Sequence, residues 1–484
     1  MPEPKLQRKL SLFDVTNLVV GAIIGADIYV ASSFGAKFLG PFSLAVWVLA
    51  GLFAMVIALC FAQCAAMLPK VGGPYAYAKE AWGPFAGFVV GWALWFAELI
   101  SLAVFPIAFT QYLMFFVPNL DPVLQVLTKV LFVVFLASTN IFGVKAAGRT
   151  NDLLTIAKLA PLVFFSLAGI AWIVLNPASV SANFSEPMAP FGYANFGSTL
   201  VLIFWAYAGF EISTIPAGEI DEPGKTIPKA IILGISIVTV FYLTTNSVLF
   251  GVRNWRLLAN DTAPLAMAAN SLFSQNVIWA LIGGAIVGVG ALISVAGSNE
   301  SGALGTSRLG FALAADGLFP RFFARVHPKF KTPYGSIIIQ SVIAVFAAVI
   351  GSLTLLISVS VFFMAIAYLA TCGAIFAFRK QHRVPAFHVR GGGLVLPIFG
   401  ILFSAYLISQ CTPLQLGLGV LLLLAGVPIY VKYSPKKEIE ELKNAWLDRE
   451  HILKRLYAQE RVFLAHVLLH IKNFYRKLSG KKES

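Results

Sequence analysis

Long runs of apolar residues, separated by short polar segments, recur along the chain as far as Tyr433. Most of these runs reach or exceed the ~20 residues that an α-helix needs to cross a bilayer. The pattern predicts an all-α integral membrane protein with about twelve transmembrane helices. It divides the chain into a cytoplasmic N-terminus, five spans, five further spans, two additional spans and a polar tail, at residues 1–11, 12–175, 198–378, 394–432 and 433–484.

The first span contains a break in its middle. Gly21 and Gly25 lie four residues apart, and Asp27 follows two residues later. Glycine in a helix interior costs about 1 kcal/mol relative to alanine, and a charged group at the bilayer centre costs at least ~2.5 kcal/mol. A Gly-x-x-x-Gly helix contact explains the glycines but leaves the carboxylate unexplained. We therefore expect the helix to unwind here, with its backbone facing protein or a water-filled cavity.

The sixth span repeats this arrangement. Its segment Phe204–Glu211 places Gly209 and the carboxylate of Glu211 near the middle of the membrane. Interrupted helices therefore open both five-span halves of the chain. Paired interruptions at corresponding positions are the best sequence indication of a midplane substrate site in an inverted-repeat transporter.

Composition and charge support a membrane protein, because 58% of the residues are hydrophobic and 12% are charged. The net charge of +14 would suit nucleic acid binding, but the cations follow the predicted loops instead. The side opposite the cytoplasm holds only Lys37, Lys129, Arg253 and Arg256. This positive-inside asymmetry predicts a multi-pass protein of the cytoplasmic membrane with both termini in the cytoplasm and no nucleic acid partner.

The predicted spans contain no histidine, and the four cysteines have no spacing typical of a metal site or a disulfide framework. The chain also contains no His-Glu-x-x-His, Gly-x-Ser-x-Gly or phosphate-loop motif. We therefore predict no enzyme activity, no catalytic residue, no cofactor and no metal. Any proton relay inside the membrane must then use carboxylates or lysine.

Several segments together resemble the amino acid–polyamine–organocation permeases. The segments are Gly25–Tyr29, Pro69–Tyr77, Tyr207–Glu211, Glu219–Pro228 and Ser307–Pro320. The resemblance extends, in order, from about Ser11 to Tyr433. It implies the LeuT-type fold, in which two inverted five-helix repeats with broken first and sixth helices are followed by two extra helices.

The resemblance also implies a substrate site between the two breaks. Backbone amides of the first break would bind the substrate carboxylate, where the dipole of the resumed half-helix favours an anion. Carbonyls freed at both breaks would bind the substrate ammonium, and an aromatic side chain would close over the ligand. The residues so assigned are Ile23, Gly25, Ala26, Asp27, Trp205, Ala208 and Gly209.

A lysine in the fifth span is assigned to proton coupling by the same resemblance. Lys158 matches a lysine that replaces the sodium ion in proton-coupled members, and it would reach towards Gly21 and Ser298. Burial favours the neutral form of an amine, so a lysine in this position can exchange a proton. The alternative is a structural ion pair with an intramembrane carboxylate.

Three further intramembrane acids, Glu98, Glu211 and Glu300, are candidate pathway carboxylates. Glu211 fits equally well as a structural group that complements the dipole of the resumed half-helix. For Glu98 and Glu300, the alternative is that they satisfy neighbouring polar groups.

Asp27 departs from the family pattern, which usually has glycine at its position. An ionised Asp27 would repel a substrate carboxylate unless it is protonated, turned away or paired with Lys158. The substrate is therefore either an ordinary amino acid, with Asp27 in a coupling or structural role, or an amine.

These features predict a secondary active transporter that carries amino acids by alternating access with proton coupling. A carrier or exchanger of organic cations, such as polyamines or cationic amino acids, is the second interpretation, and a membrane receptor or sensor is the third. In the tail, residues 433–484, apolar positions recur at helical spacing among mixed charges. This predicts an amphipathic helix on the inner membrane surface.

Overall fold

The computed structural model describes residues 10–70, 72–143, 148–214, 217, 220–381, 387 and 393–434, with only the backbone for residues 148–157 and 212. Within these residues the chain is helical, and the one β-type contact is an isolated bridge between Leu10 and Ile220. Residues up to Tyr430 belong to one compact unit. Most of the second unit, Val431–Ser484, lies outside the described residues, and so does the predicted tail helix.

The helices follow the predicted apolar runs. In chain order they are α1 Leu12–Ile23, α2 Asp27–Leu39, α3 Ser43–Met67, α4 Pro74–Trp82, α5 Pro84–Phe116, α6 Pro122–Phe142, α7 Gly148–Leu175, α8 Pro177–Asn183, α9 Phe196–Phe204, α10 Pro223–Val252, α11 Trp255–Leu258, α12 Pro264–Leu272, α13 Val277–Ala315, α14 Tyr334–Ile350, α15 Leu353–Lys380, α16 Val395–Ser409, α17 Pro413–Leu424 and α18 Gly426–Tyr433. Short 3₁₀ turns occur at Gly40–Phe42, Trp205–Tyr207, Phe210–Thr214 and Arg321–Ala324.

Eight helical stretches of the described chain are long and apolar enough to cross a bilayer. One of them, Asp27–Met67, contains the second half of the predicted first span, α2, and the second span, α3, with the turn at Gly40–Phe42 between them. The shorter apolar helix α1 forms the first half of the first span. The remaining predicted spans are occupied by α9 with the turn after it, α14 and α16. The predicted all-α, multi-span membrane architecture is confirmed, while the relation of the two halves as inverted repeats stays a prediction.

The helices differ in how much of their surface the rest of the protein covers. α3, α5 and α15 are apolar around their circumference and carry buried residues on most sides, whereas most side chains of α6 and α17 are at least partly exposed. A helix that is hydrophobic all round is either buried in protein or faces lipid. The buried helices therefore form the interior, together with α10 and α13, which pack against α3 and α5.

Hydrogen bonds between polar side chains join the helices around the first interrupted span. The Ser32 hydroxyl of α2 donates to Asn246 Oδ1 of α10 at 2.7 Å, and Ser166 of α7 bonds Thr245 of α10 at 3.1 Å. Lipid supplies little hydrophobic drive for helix association, so packing and such bonds hold membrane helices together. They fix α2, α7 and α10 around the first break.

Candidate functional site

The first span is interrupted between α1 and α2. Helical bonding ends with Ile24, whose amide donates to Val20 O at 2.9 Å, and resumes with amides that donate to Ala26 O at 3.1 Å. The Ala26 amide itself donates to no acceptor in the described part of the chain. An amide at the start of a buried half-helix is a ready donor for an anion.

The sixth span is interrupted after α9. The helix tightens into the 3₁₀ turn Trp205–Tyr207, Ala208 is extended, and Gly209 has φ +118° before the next 3₁₀ turn begins at Phe210. The Trp205 carbonyl, one of the predicted ligands of a substrate ammonium, accepts the Ala208 amide at 3.1 Å. The predicted break is therefore present, with the unwound backbone centred on Ala208 and Gly209.

The two breaks are in direct backbone contact. A Cβ atom on Gly209 would lie 2.8 Å from the Ala22 carbonyl oxygen and 3.2 Å from the Ile23 amide nitrogen. Only glycine combines this approach with a positive φ at low cost. The structure thus brings together the residues that the sequence assigned to one site from positions almost 190 residues apart along the chain.

Each break carries a carboxylate that accepts a glycine amide two residues earlier. Asp27 Oδ1 accepts the Gly25 amide at 2.7 Å, and Glu211 Oε2 accepts the Gly209 amide at 3.0 Å. Both acids are buried, with 6% of Asp27 and none of Glu211 exposed. The acids therefore satisfy amides that the unwound backbone leaves without helical partners.

A tyrosine from another helix contacts the second oxygen of each carboxylate. The Tyr368 hydroxyl of α15 donates to Glu211 Oε1 at 3.1 Å. The Tyr242 hydroxyl of α10 lies 3.2 Å from Asp27 Oδ2 and also 3.2 Å from the Ile23 carbonyl oxygen. The sequence reasoning missed both tyrosines. The available signal was a polar aromatic residue within an apolar span, which is too common to single out.

Lys158 is buried in α7 and donates to the Ser298 hydroxyl of α13 at 3.0 Å. The Ser298 hydroxyl in turn donates to the Ile24 carbonyl at 3.1 Å, directly before the first break. Gly297 makes room for the lysine, since a Cβ there would lie 2.7 Å from Lys158 Cε. Lys158 therefore reaches the first span through Ser298, and Gly21 takes no part in this described chain of hydrogen bonds.

The Trp205 indole is held by serines that the sequence reasoning did not select. Its Nε1 donates to the Ser101 hydroxyl of α5 at 3.1 Å, and Ser101 bonds the Ser360 hydroxyl of α15 at 2.8 Å. The Ser360 hydroxyl donates to the Ala97 carbonyl at 2.9 Å. This buried chain fixes the ring beside Phe105, 6.3 Å between centroids.

The remaining two acids, Glu98 and Glu300, are half-buried. Glu98 of α5 is close enough to Glu211 for their charges to interact. Glu300 of α13 interacts in the same way with Lys158, which also feels the charge of Asp27. The structure therefore pairs one acid with the second break and one with the lysine.

Comparison with known proteins identifies the family. The family model described as amino acid permease matches residues 10–429. Among similar proteins, the branched-chain amino acid permease of Bacillus subtilis (strain 168) is 28% identical, covering 90% of this chain and 94% of its own length. The serine/threonine exchanger of the same organism is 28% identical, covering 89% and 98%. The large neutral amino acids transporter small subunit 2 of Homo sapiens is 29% identical, covering 88% and 80%.

These matches extend over nearly the whole described chain and include both interrupted spans. The family and these relatives are transporters, so the prediction that the protein is not an enzyme is confirmed. The family predicted from the motifs is confirmed as well. The chain belongs to the amino acid permease family.

Proposed function

We propose that the protein carries neutral amino acids across the membrane by alternating access, with the substrate held between the two interrupted spans. The observation that carries this proposal is the direct contact of the Gly209 backbone with the Ala22–Ile23 peptide, beside an Ala26 amide that has no acceptor among the described residues. Unwound backbone of this kind is stable at membrane depth only where it lines a cavity or is covered by protein.

The proposed recognition chemistry uses main-chain groups. The substrate carboxylate binds at the start of α2, where the Ala26 amide has no acceptor within the described chain and the half-helix dipole favours a negative charge. The substrate ammonium binds carbonyls of Ile23, Trp205 and Ala208, because a carbonyl oxygen with one partner can accept a second hydrogen bond. Because these contacts use only main-chain groups, recognition of the substrate side chain depends on the residues around the site.

The proposed substrates have uncharged, mainly apolar side chains. Aromatic residues, the buried Trp205 and Phe210 and the partly buried Phe105, lie at the second break. The relatives are named as carriers of branched-chain, serine/threonine and large neutral amino acids, and those names agree with a neutral substrate.

We further propose that transport is coupled to protons and that Lys158 takes part. Its ammonium lies at the hydroxyl that bridges α13 to the first break, where it can transmit a change of charge to the backbone there. The distribution of Lys and Arg supports a cytoplasmic location for both termini in this proposal.

A second candidate function is transport of organic cations. It is favoured by the two buried carboxylates, Asp27 and Glu211, that flank the contact between the breaks. An amine with no carboxylate would be attracted by both acids and would not need the Ala26 amide.

The test is a thermal-shift screen of the purified protein with the common amino acids and polyamines, followed by uptake into liposomes with an inward proton gradient. A ligand that binds only the folded state raises the free energy of unfolding, by about 2.7 kcal/mol when the ligand concentration is a hundred times Kd. The melting temperature rises as a result. We expect neutral amino acids to stabilise the protein and to accumulate. A response to polyamines alone would establish the second candidate, and binding with no uptake would point to a receptor.

A further inference from the structure

If the carboxyl group of Asp27 is ionised, the Tyr242 hydroxyl beside it has more acceptors within reach than protons to donate. The Tyr242 hydroxyl has one proton but lies 3.2 Å from two acceptor atoms, Asp27 Oδ2 and the Ile23 carbonyl oxygen. An ionised carboxylate can only accept, and a hydroxyl can donate only once but accept twice. One further proton is needed for both contacts to be full hydrogen bonds.

The second break provides an internal comparison. There the Tyr368 hydroxyl has one acceptor among the described residues, Glu211 Oε1 at 3.1 Å. One proton and one acceptor balance without any change at the acid. The surplus acceptor is therefore a property of the first break.

A proton on Asp27 Oδ2 completes the bonding at the first break. Asp27 then donates to the Tyr242 oxygen, Tyr242 donates to Ile23 O, and Asp27 Oδ1 still accepts the Gly25 amide at 2.7 Å. Burial agrees with this arrangement, because only 6% of Asp27 is exposed and removing a charge from water is costly. Lys158, whose charge interacts with that of Asp27, donates its described hydrogen bond to Ser298.

We infer that Asp27 is a proton-binding site of the transport cycle, and that its proton binds together with the carboxylate of the substrate. The inference rests on the proposed function, in which that carboxylate binds at the start of α2, next to Asp27. The O–H bond forms with a proton from the outer solution and breaks when the proton leaves to the inner solution. A neutral Asp27 tolerates the substrate carboxylate, and an ionised Asp27 repels it, so loss of the proton promotes release.

The other ionisable groups around Asp27 come from four helices. Tyr242 on α10 and Tyr29 on α2 are its aromatic neighbours, and Lys158 on α7 is the cation within range of its charge. Glu300 on α13 interacts with Lys158. Lys158 stabilises the ionised form of Asp27 after the proton has left, which gives the two residues distinct roles.

The variant that tests the inference is Asp27→Asn. Its side chain matches the protonated carboxyl group, since Oδ1 can accept the Gly25 amide and Nδ2 can donate to Tyr242. We expect it to fold and to bind L-leucine. Wild-type Kd for L-leucine should rise towards about tenfold per pH unit once Asp27 loses its proton, because one proton is bound per ligand. Kd of Asp27→Asn should stay flat over the same range.

Glu211→Gln is the matched control, since it removes one ionisable proton from the same arrangement of glycine amide, acid and tyrosine at the other break. It should keep the wild-type pH slope. A second measurement needs no variant: in the pH range where Kd rises with pH, addition of L-leucine to the weakly buffered wild type should withdraw up to about one proton per bound ligand.

A wild-type Kd that is independent of pH, no proton uptake on binding, or an Asp27→Asn variant with the wild-type slope would each overturn the inference. These outcomes differ from failure of the proposed function, in which the wild type binds no amino acid at any pH.

Discussion

At the scale of single residues, the two breaks use one local solution to one physical problem. Unwinding a helix inside a membrane leaves amides that neither water nor lipid can satisfy. An acid two residues after the glycine accepts the exposed amide, as Asp27 does for Gly25 and Glu211 does for Gly209. Short side chains that bond the backbone locally are the usual alternative to a helical ladder. The acids therefore stabilise the breaks, whatever further role each one has.

Gly209→Ala should destabilise the protein and abolish transport. A Cβ at this position would lie 2.8 Å from the Ala22 carbonyl oxygen, and the residue has φ +118°. Steric crowding and the disfavoured backbone together cost about 2–4 kcal/mol, which should appear as a lower melting temperature. Gly305→Ala is the control, because nothing lies within 4 Å of its Cβ and alanine favours the interior of α13. Equal melting temperatures for the two variants would contradict the described contact between the breaks.

Lys158→Met should lose proton-driven accumulation while keeping substrate exchange. Methionine fills the space beside Gly297 but can neither carry charge nor donate to Ser298. The measurement is liposome uptake with and without a proton gradient, and counterflow with substrate on both sides. Lys129→Met in α6 is the matched control, since this lysine is half-exposed and donates to Ala348 O, away from the breaks. Accumulation by Lys158→Met at the wild-type level would remove Lys158 from the coupling mechanism.

At the scale of elements, the interrupted spans are tied to their neighbours through single side chains. The turn after α9 is held to α5 and α15 by the chain from Trp205 through Ser101 to Ser360. The first break is held to α13 and α7 by Ser298 and to α10 by Tyr242. A movement of either break must therefore disrupt or replace these few hydrogen bonds, so we expect substitution of their donors or acceptors to affect that movement.

Ser101→Ala should weaken substrate binding more than it weakens the fold. The change leaves Trp205 Nε1 buried with no acceptor, which costs about 1–3 kcal/mol, and the ring is then free to move away from the second break. We expect Kd for the preferred amino acid to rise about tenfold. Ser166→Ala, which removes a buried bond between α7 and α10, serves as the control and should affect Kd much less. Similar Kd values in both variants would show that the Trp205 ring does not contact the substrate.

At the scale of the whole molecule, charge and cysteine placement make orientation testable. Most predicted cytoplasmic loops are basic, whereas the predicted outer segment between α8 and α9 has no Lys or Arg. The four native cysteines are all buried, so labelling of intact cells with a membrane-impermeant thiol reagent starts from a low background.

Ser185→Cys should therefore be labelled from outside intact cells, and Lys329→Cys only after permeabilisation. Both positions are exposed, so accessibility of the side chain does not distinguish them. The reverse pattern would invert the proposed topology. We also expect that sodium does not stimulate uptake in the same cells, because the family resemblance implies that the Lys158 ammonium replaces the sodium ion of related transporters.

The sequence by itself determined the spans, the two breaks and the family. Each of these depends on features that are local in the chain: the length of an apolar run, a glycine beside an acid, and motifs of a few residues. The tertiary structure decided the partners, which are distant in sequence. Tyr242 meets Asp27 across 215 residues, Tyr368 meets Glu211 across 157, and Lys158 meets Ser298 across 140. The sequence periodicity within one span does not predict such pairs. Because each span is apolar enough to cross the membrane whichever side it turns towards its neighbours, its rotation about its own axis is left open. Packing of small residues selects one rotation, and that choice determines which hydroxyl contacts Asp27 and therefore where the proton is bound.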